Sequence, residues 1–392
     1  MIKHVSKIEK LIATLCPEGV EFKKLGKVCQ FQRGSIITKK HARVGNVPVI
    51  AGGKEPSYYH DTPNRTGETI AVSSSGAYAG FVSWWTIPVF LSDSFSVNPN
   101  PELLPKYVFY FLKSKQEQIH GKKKGAGVPH IHGKDIANLP IPIQPFAIQE
   151  EIVKILDTFT ELEAELEAEL EARKKQYEYY RSKLLTFKKR GGVVRWVTLG
   201  ELFDIKNGYT PSKSKPEFWI NGTIPWFRME DIRKNGRVLG NSIQHITPEA
   251  VKNGKLFSAN SIIIATSATI GEHALVTVDS LANQRFTFLS KKVNRSVEID
   301  MKFTFYYGYL LGEWCRNNTN AASFASVDME KFKKFKMPIP PLAEQKRIVS
   351  ILDKFDALVS DISIGLPAEL VARRKQYEYY RNKLLTFNKY VS

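Results

Sequence analysis

The sequence is poor in cysteine and in negative charge. Its 392 residues include only Cys16, Cys29 and Cys315, far apart and with no CxxC pair. That spacing offers neither a disulfide framework nor a zinc site; it fits a reducing compartment in which the three serve as small core hydrophobes. Against 57 Lys and Arg stand 39 Asp and Glu, leaving a formal net charge of +18 and an isoelectric point near 9.5. Such an excess favours a polyanionic partner, because each cation that neutralises a phosphate releases a condensed counterion. Nucleic acid is the first candidate and an anionic membrane the second, with a basic surface kept for solubility as the bland alternative.

Long apolar runs are scarce as well. The N-terminus MIKHVSKIEK is charged and no apolar run follows it, so no secretory signal is expected. One uncharged stretch, residues 70–92, is long enough to span a bilayer. Ser73, Ser74, Ser75, Gly76, Ser83, Thr86 and Pro88 interrupt it, and the pieces between read as buried strands broken by turns in a domain interior. Catalytic motifs are missing. No GxxxxGK-Ser/Thr loop is present to cradle ATP. The Pro-Pro-aromatic motif of amino-methyltransferases is absent too, and Asn98-Pro99-Asn100-Pro101 lacks its second proline and aromatic in place. His130 and His132 have no third ligand nearby, so they read as a loop near nucleic acid or a cap on the following segment. The Ser73–Ser75 run is not a GxSxG elbow, and is expected to hydrogen-bond backbone or bases. No catalytic residue and no metal site is assigned.

What the chain does have is an internal repeat. Residues 173–187 read RKKQYEYYRSKLLTF and residues 373–387 read RRKQYEYYRNKLLTF, differing only at Lys174/Arg374 and Ser182/Asn382. Upstream, IVKILDTF (152–159) matches IVSILDKF (348–355); Leu25-Gly26 matches Leu199-Gly200, and Gly34 matches Gly208. Between these borders, residues 27–140 and 201–336 share little beyond turn signals such as Ala79-Gly80 beside Ile270-Gly271. A duplicated frame with unlike inserts presents one surface twice about an approximate two-fold axis while each insert does a different job. Recombination between gene copies would also keep the frames alike.

Each shared border reads as a long helix. In the first, Ile152, Ile155, Phe159, Leu162 and Leu166 step by three and four, Leu170 follows after four, and Tyr177, Tyr180 and Leu184 resume the pattern. That is a coiled-coil seam with one stutter. In the second, Ile348, Ile351, Phe355, Leu358, Ile362, Leu366 and Leu370 repeat it, and Tyr377, Tyr380 and Leu384 match the later positions. Gly365 and Pro367 interrupt this second run, and a kink or short break is expected there. Pseudo-symmetry makes the two helices antiparallel partners, and about forty residues give a rod of roughly 60 Å. ELEA occurs three times in succession from Glu161 to Ala172. It is a solvated face of good helix formers, and it also reads as a ruler, since four residues change a helix by about 6 Å.

Taken in this order and doubled, these strings resemble the specificity subunits of type I restriction-modification enzymes over essentially the whole chain. LCPEGVEFKKLG (15–26), VTLGELFDIKNGYTPSK (197–213), GTIPWFRMEDI (222–232) and MPIPPLAEQKRIVSILD (337–353) carry the resemblance together with the two RxKQYEYYRxKLLTF helices. It implies an α+β fold: two globular mixed α/β target-recognition domains separated by two long antiparallel coiled-coil helices, with an internal pseudo-two-fold repeat. The segments would be 1–145, an N-terminal segment and first recognition domain; 146–190, a central spacer helix; 191–341, the second recognition domain; and 342–392, a C-terminal spacer helix. It implies binding to an asymmetric bipartite site in double-stranded DNA. The partners would be two copies of a methylation subunit carrying S-adenosylmethionine and an endonuclease subunit using ATP and magnesium. No cofactor is expected in this chain, no membrane partner, and a prokaryotic cytoplasmic location. Within the family the tetrapeptide repeats set the spacer between half-sites, a role that ELEA inherits through the resemblance. The alternative of another class is a non-enzymatic RNA-binding or scaffold adaptor with two unlike domains; a self-sufficient nuclease is disfavoured by the missing motifs.

Phosphates take Lys, Arg, Ser and backbone amides, whereas base edges take bidentate Arg, Asn and Gln. In the first domain this selects Arg33, Lys39, Lys40, Lys54, Tyr58, Arg65 and Tyr78. Lys122, Lys123 and Lys124, in the GKKKGAG loop, are expected to clamp phosphate, while Trp84 and Trp85 read as core. The second domain offers Lys206, Lys213, Lys215, Arg228, Arg233 and Lys234, then Thr266, Ser267, Thr269, Gln284, Arg285 and Asn320. Gln284 and Arg285 pair two good base readers after an apolar strand; a solvated surface pair is the alternative.

Overall fold

The computed structural model describes residues 2–125, 127–187, 194–292, 299–320, 325–360 and 364–390. Ile362 of the expected seam and Ala126 of the GKKKGAG loop lie outside the described residues. The chain divides into two compact units, one made of Met1–Ala168 with Ala368–Ser392 and the other of Glu169–Pro367.

In the first unit a four-stranded antiparallel sheet runs in the order Cys29–Arg33, Ser94–Pro99, Thr69–Ser73, Val82–Trp85. The central strand reads TIAVS and is buried throughout, with Ile70 opposite both Trp84 and Val97. Burial on both faces explains why an apolar run, rather than an alternating one, forms this strand. The uncharged stretch 70–92 is thus sheet interior and its turns, and among the described residues no helix is long and apolar enough to cross a membrane. A three-stranded sheet, Tyr58–His60, Val47–Ile50, Phe90–Leu91, stands beside it. Helix Pro105–Ser114 begins with proline, whose missing N–H costs nothing in a first turn, and buries Tyr107, Val108, Phe111 and Leu112. Trp84 packs tilted on Phe109 at 5.6 Å and is half-buried, as its neighbours suggested.

Among the described residues the second unit repeats the plan with one strand more in its main sheet. Its sheet order is Phe203–Asn207, Phe286–Lys291, Ser261–Ala265, His273–Val276, Val238–Leu239, beside a three-stranded sheet of His245–Ile246, Ile224–Phe227 and Leu281–Ala282. Helix Met301–Asn317 takes the place of 105–114 and is capped by the Asp300 carboxylate, which accepts from the amides of Lys302 and Phe303. In both units the shared borders pair as short strands: Glu21–Lys24 with Pro140–Ile143, and Arg195–Thr198 with Lys336–Ile339. Inserts with little common sequence therefore share one topology.

The first border helix is continuous over 40 residues, Phe146–Leu185. Among the described residues the second forms two helices, Leu342–Val359 and Leu366–Leu384, with Gly365 just before the second and Pro367 in its first turn. Within the first unit Phe159 stacks on Tyr380 at 5.5 Å, while Glu163 and Glu167, further along, pair with Arg374, so the strands of the seam run antiparallel. Within the second unit Phe355 stacks the same way on Tyr180 at 5.5 Å and Tyr177 at 6.1 Å. Ile152, Ile155, Phe159, Tyr177 and Ile348 are buried as the spacing requires, whereas Leu162, Leu166, Leu170, Leu184 and Ile351 are only half-buried. Leu358 departs from the expected seam: it is 37% exposed and Val359 is buried in its stead. Leu156 and Leu352, which a strict seam omits, are fully buried. The reason is that each helix start packs on a domain core as well as on a partner helix, widening its apolar stripe beyond a coiled-coil line. The Cys29 and Cys315 thiols are buried and pushed up to about 12, chiefly by loss of hydration.

Candidate nucleic-acid interface

In the second unit the site is built where the two sheets meet. Strand Leu281–Ala282 lies parallel to Ile224–Phe227, and the amide of Asn283 donates to the carbonyl of Phe227 at 3.0 Å, which brings 283–285 beside Arg228. Gly208 makes this possible: a Cβ there would stand 2.2 Å from the carbonyl oxygen of Ala282. The turn after strand Ser261–Ala265 comes alongside, with Ala268 at φ 62 and Gly271 at φ 88. The result is a cleft of about 560 Å3 whose lining includes Lys213, Trp219, Trp226, Arg228, Gln284 and Arg285. A second, of about 640 Å3, is lined by Arg233, Thr269, Glu272 and Arg316 among others. A smaller one between them shares Arg228, Arg233, Thr269 and Arg285. The Thr210 hydroxyl donates to the Gln284 side-chain oxygen at 2.5 Å, fixing which way that amide faces, and Arg228 lies over the Trp226 ring at 5.6 Å.

Six of the sequence candidates thus converge on one cationic edge: Lys213, Arg228, Arg233, Thr269, Gln284 and Arg285. Lys206, Lys215 and Lys234 are exposed outside these clefts, Lys215 lying over Phe218 at 5.1 Å. Ser267 and Asn320 both pair with Ser326, which ties a second loop to the turn. Thr266 sits differently from the expectation: its side chain is buried and shares a hydrogen bond of 2.9 Å with the Thr287 hydroxyl, so it braces the turn from inside. Arg316 and Trp219 were missed; helical or strand spacing carries no sign of them, since only the fold brings them to the clefts.

The matching edge of the first unit carries Tyr78, 44% exposed, with the Lys54 ammonium 5.2 Å from its ring centre. Lys113, which the sequence reading missed, lies over Phe81 at 4.7 Å, and burial, then nearby Arg381 and Lys54, hold its ammonium below the usual lysine range. Lys123 donates to the carbonyl of Ala77 at 2.8 Å, holding the GKKKGAG loop against this turn. Lys122 is half-buried, and Lys124 pairs with Asp135 at 2.7 Å, so two of the three expected phosphate ligands are engaged within the fold. Arg65 is committed too: its guanidinium donates to the carbonyls of Gln32, Arg33 and Asn64 and to the Ser96 hydroxyl. The Tyr58 hydroxyl donates to the carbonyl of Ile37 at 2.5 Å. Arg33, Lys39 and Lys40 are exposed on the same domain. His132 caps the turn after it, its amide donating to the Asp135 carboxylate at 2.9 Å. Among the described residues no cluster of three or more His, Cys, Asp or Glu is placed to hold a metal ion.

Two domains of one plan, the second raising arginine, lysine and amide groups and the first lysine and tyrosine on a turn-built edge, have the make-up of a modular nucleic-acid-binding protein. Comparison with known proteins gives the family. Residues 17–172 and 194–372 match the type I restriction modification DNA specificity domain. The EcoprrI type I restriction enzyme specificity subunit of Escherichia coli is 58% identical over 204 residues, half of this chain (50%) and 51% of that one. A further Escherichia coli type I restriction enzyme specificity subunit is 37% identical over 418 residues, covering 99% of this chain and 98% of its own length. The fold matches the crystal structure of a type I system S subunit from M. genitalium, with TM-score 0.56, 20% identity and 94% and 96% of the two chains covered. It also matches a chain from a type I system complex, with TM-score 0.64, 19% identity and 95% and 98% covered. The chain belongs to the family of type I restriction-modification specificity subunits. It is a DNA-recognition subunit and not itself an enzyme, catalysis in such systems residing in the methylation and endonuclease subunits.

Proposed function

We propose that this chain reads an asymmetric bipartite site in double-stranded DNA, residues 1–145 reading one half-site and 191–341 the other, and positions two copies of a methylation subunit. The carrying observation is the doubled frame: near-identical borders and one shared topology frame two edges whose exposed residues differ. A homodimeric reader would present equal edges and read a palindrome; unlike edges read unlike half-sites.

The repeated helices support the partner arrangement. Tyr179 and Tyr379, at matching positions, are 60% and 63% exposed, each packed edge-on against the tyrosine that follows it. Large aromatics left in solvent twice over are suited to anchor the same partner surface twice. S-adenosylmethionine would then reside on the methylation subunits, and ATP and magnesium on an endonuclease subunit that joins them in the prokaryotic cytoplasm. An RNA-binding adaptor is the competing reading, and it would prefer single strands or A-form helices.

The test is to purify the chain with a methylation subunit and sequence the modified adenines in host DNA. One two-part asymmetric motif is expected, and removing Glu165–Ala168 should keep both halves while shortening the unread gap, because four residues span about 6 Å of helix. Absence of a two-part motif would refute the reading; an unchanged gap would refute the ruler.

A further inference from the structure

The reading edges of the two domains correspond bond by bond. In the second, the amide of Thr266 donates to the carbonyl of Arg285 at 2.9 Å, that of Gly208 to Phe286 at 2.9 Å and that of Val327 to Thr266 at 2.9 Å. In the first, the amide of Ser74 donates to the carbonyl of Asp93 at 2.9 Å, that of Gly34 to Ser94 at 2.8 Å and that of Ile131 to Ser74 at 2.8 Å. Each frame follows a two-residue strand paired in parallel, Leu281–Ala282 in one and Phe90–Leu91 in the other. Ser75 and Ser267 match as well, through bridges to His130 and Ser326. The backbone site that carries Arg285 in one domain therefore carries Asp93 in the other.

A carboxylate on a face that meets phosphates lowers affinity by repulsion unless it accepts from the ligand. Among the described residues no Lys or Arg forms an ion pair with Asp93; the Ser75 hydroxyl donates to one of its oxygens. That contact orients the half-buried carboxylate and leaves lone pairs on the other oxygen open. An ionised carboxylate only accepts, and on major-groove edges the donors are the amino groups of cytosine and adenine.

We propose that Asp93 is a specificity-determining residue that accepts from an exocyclic amino group, cytosine N4 or adenine N6, at one position of the half-site read by the first domain. Arg285 is its counterpart in the second domain, where an arginine fork suits guanine O6 and N7. The inference rests on the bipartite reading above, and the experiment separates the two.

The complex of the full chain with a methylation subunit is assayed on a library of duplexes carrying every single-base change in the wild-type motif. Exchange of residues 27–140 identifies which half-site the first domain governs. For Asp93→Ala, discrimination at one position of that half-site should fall by about 5- to 150-fold, the range of one good base contact, with the other half-site untouched. Asp93→Ser, which keeps a polar contact to Ser75 but is too short to reach a base, should do the same. If the wild type shows a two-part motif and both variants keep full discrimination at every position, the Asp93 assignment fails and the bipartite reading stands. If neither variant assembles, Asp93 is a brace of the turn and the assignment fails likewise. If the wild type shows no two-part motif, the reading fails and the inference goes with it.

Discussion

Set side by side, the two domains agree in what is buried and disagree in what faces outward. Strands Thr69–Ser73 and Ser261–Ala265 are both wholly buried and hold the same place in their sheets. Beside them, Asp93 stands where the other domain has Arg285; the interior keeps its places but not every side chain, the buried Val82 standing where the other domain has the buried His273. The helices show the same economy. Lys174/Arg374 is one of two differences in a 15-residue repeat, and the structure accounts for it: the Arg374 fork spans Glu163 and Glu167. Glu163 lies four residues after Phe159, whereas the residue four after Phe355 is the buried Val359, and among the described residues Lys174 has no such carboxylate pair. An interior defined by hydrogen-bonded registers tolerates little change of shape, while outward residues are free to diverge with the ligand each must read.

The comparison breaks most visibly by domain exchange. Replacing residues 201–336 with those of another family member should rewrite one half-site completely and leave the other intact in a methylome; a change in both halves would mean that the domains do not read independently. Next in size, Arg285→Ala should cost about 5- to 150-fold in discrimination at one base pair of the second half-site. The same competition assay should show the first half-site unaltered, and a uniform loss across all sequences would make Arg285 a phosphate ligand instead.

A third difference is one of stability. His273 is fully buried, and desolvation, with Arg237 adding to it, lowers its imidazole from 6.5 to about 3. The unfolded chain then binds a proton that the folded one refuses, so stability is complete above 6.5 and falls as the pH drops towards 3. Denaturant titrations between about pH 6 and 5 should show a slope approaching 1.4 kcal/mol per pH unit that His273→Gln lowers. The first domain has Val82 at the matching place, but its His120 is lowered in the same direction, chiefly by burial, so the variant should lose part of the slope; an undiminished slope would place the titration away from His273. Smallest of all, Arg374→Lys should lower stability by about 0.2–1 kcal/mol, as expected for an exposed pair. Thermal melts would show it, and the reciprocal Lys174→Arg should change nothing.

Much of this could be read without coordinates because it is local. The 15-residue repeat, the heptad-like spacing from Ile152 to Leu184 and the Gly365–Pro367 interruption each act within a few turns of chain. The edges could not be read that way. Arg65, Thr266 and Lys124 are of the right type for nucleic acid yet are spent on carbonyls, a hydroxyl and a carboxylate inside their own domain. Lys113, Arg316 and Asp93 sit at or beside the reading edges with no periodic signature, because the neighbours that define them come from strands tens of residues away.

Sequence alone determined the two-copy plan, the long helices, the polyanionic partner and the family, since repeats, periodicity, charge and motifs are properties of chain order. Tertiary structure decided that divergent inserts share one topology, and which polar side chains remain free to meet a ligand. A side chain's hydrogen-bonding capacity can be used once, and whether the fold or the partner uses it depends on distances that chain order does not contain.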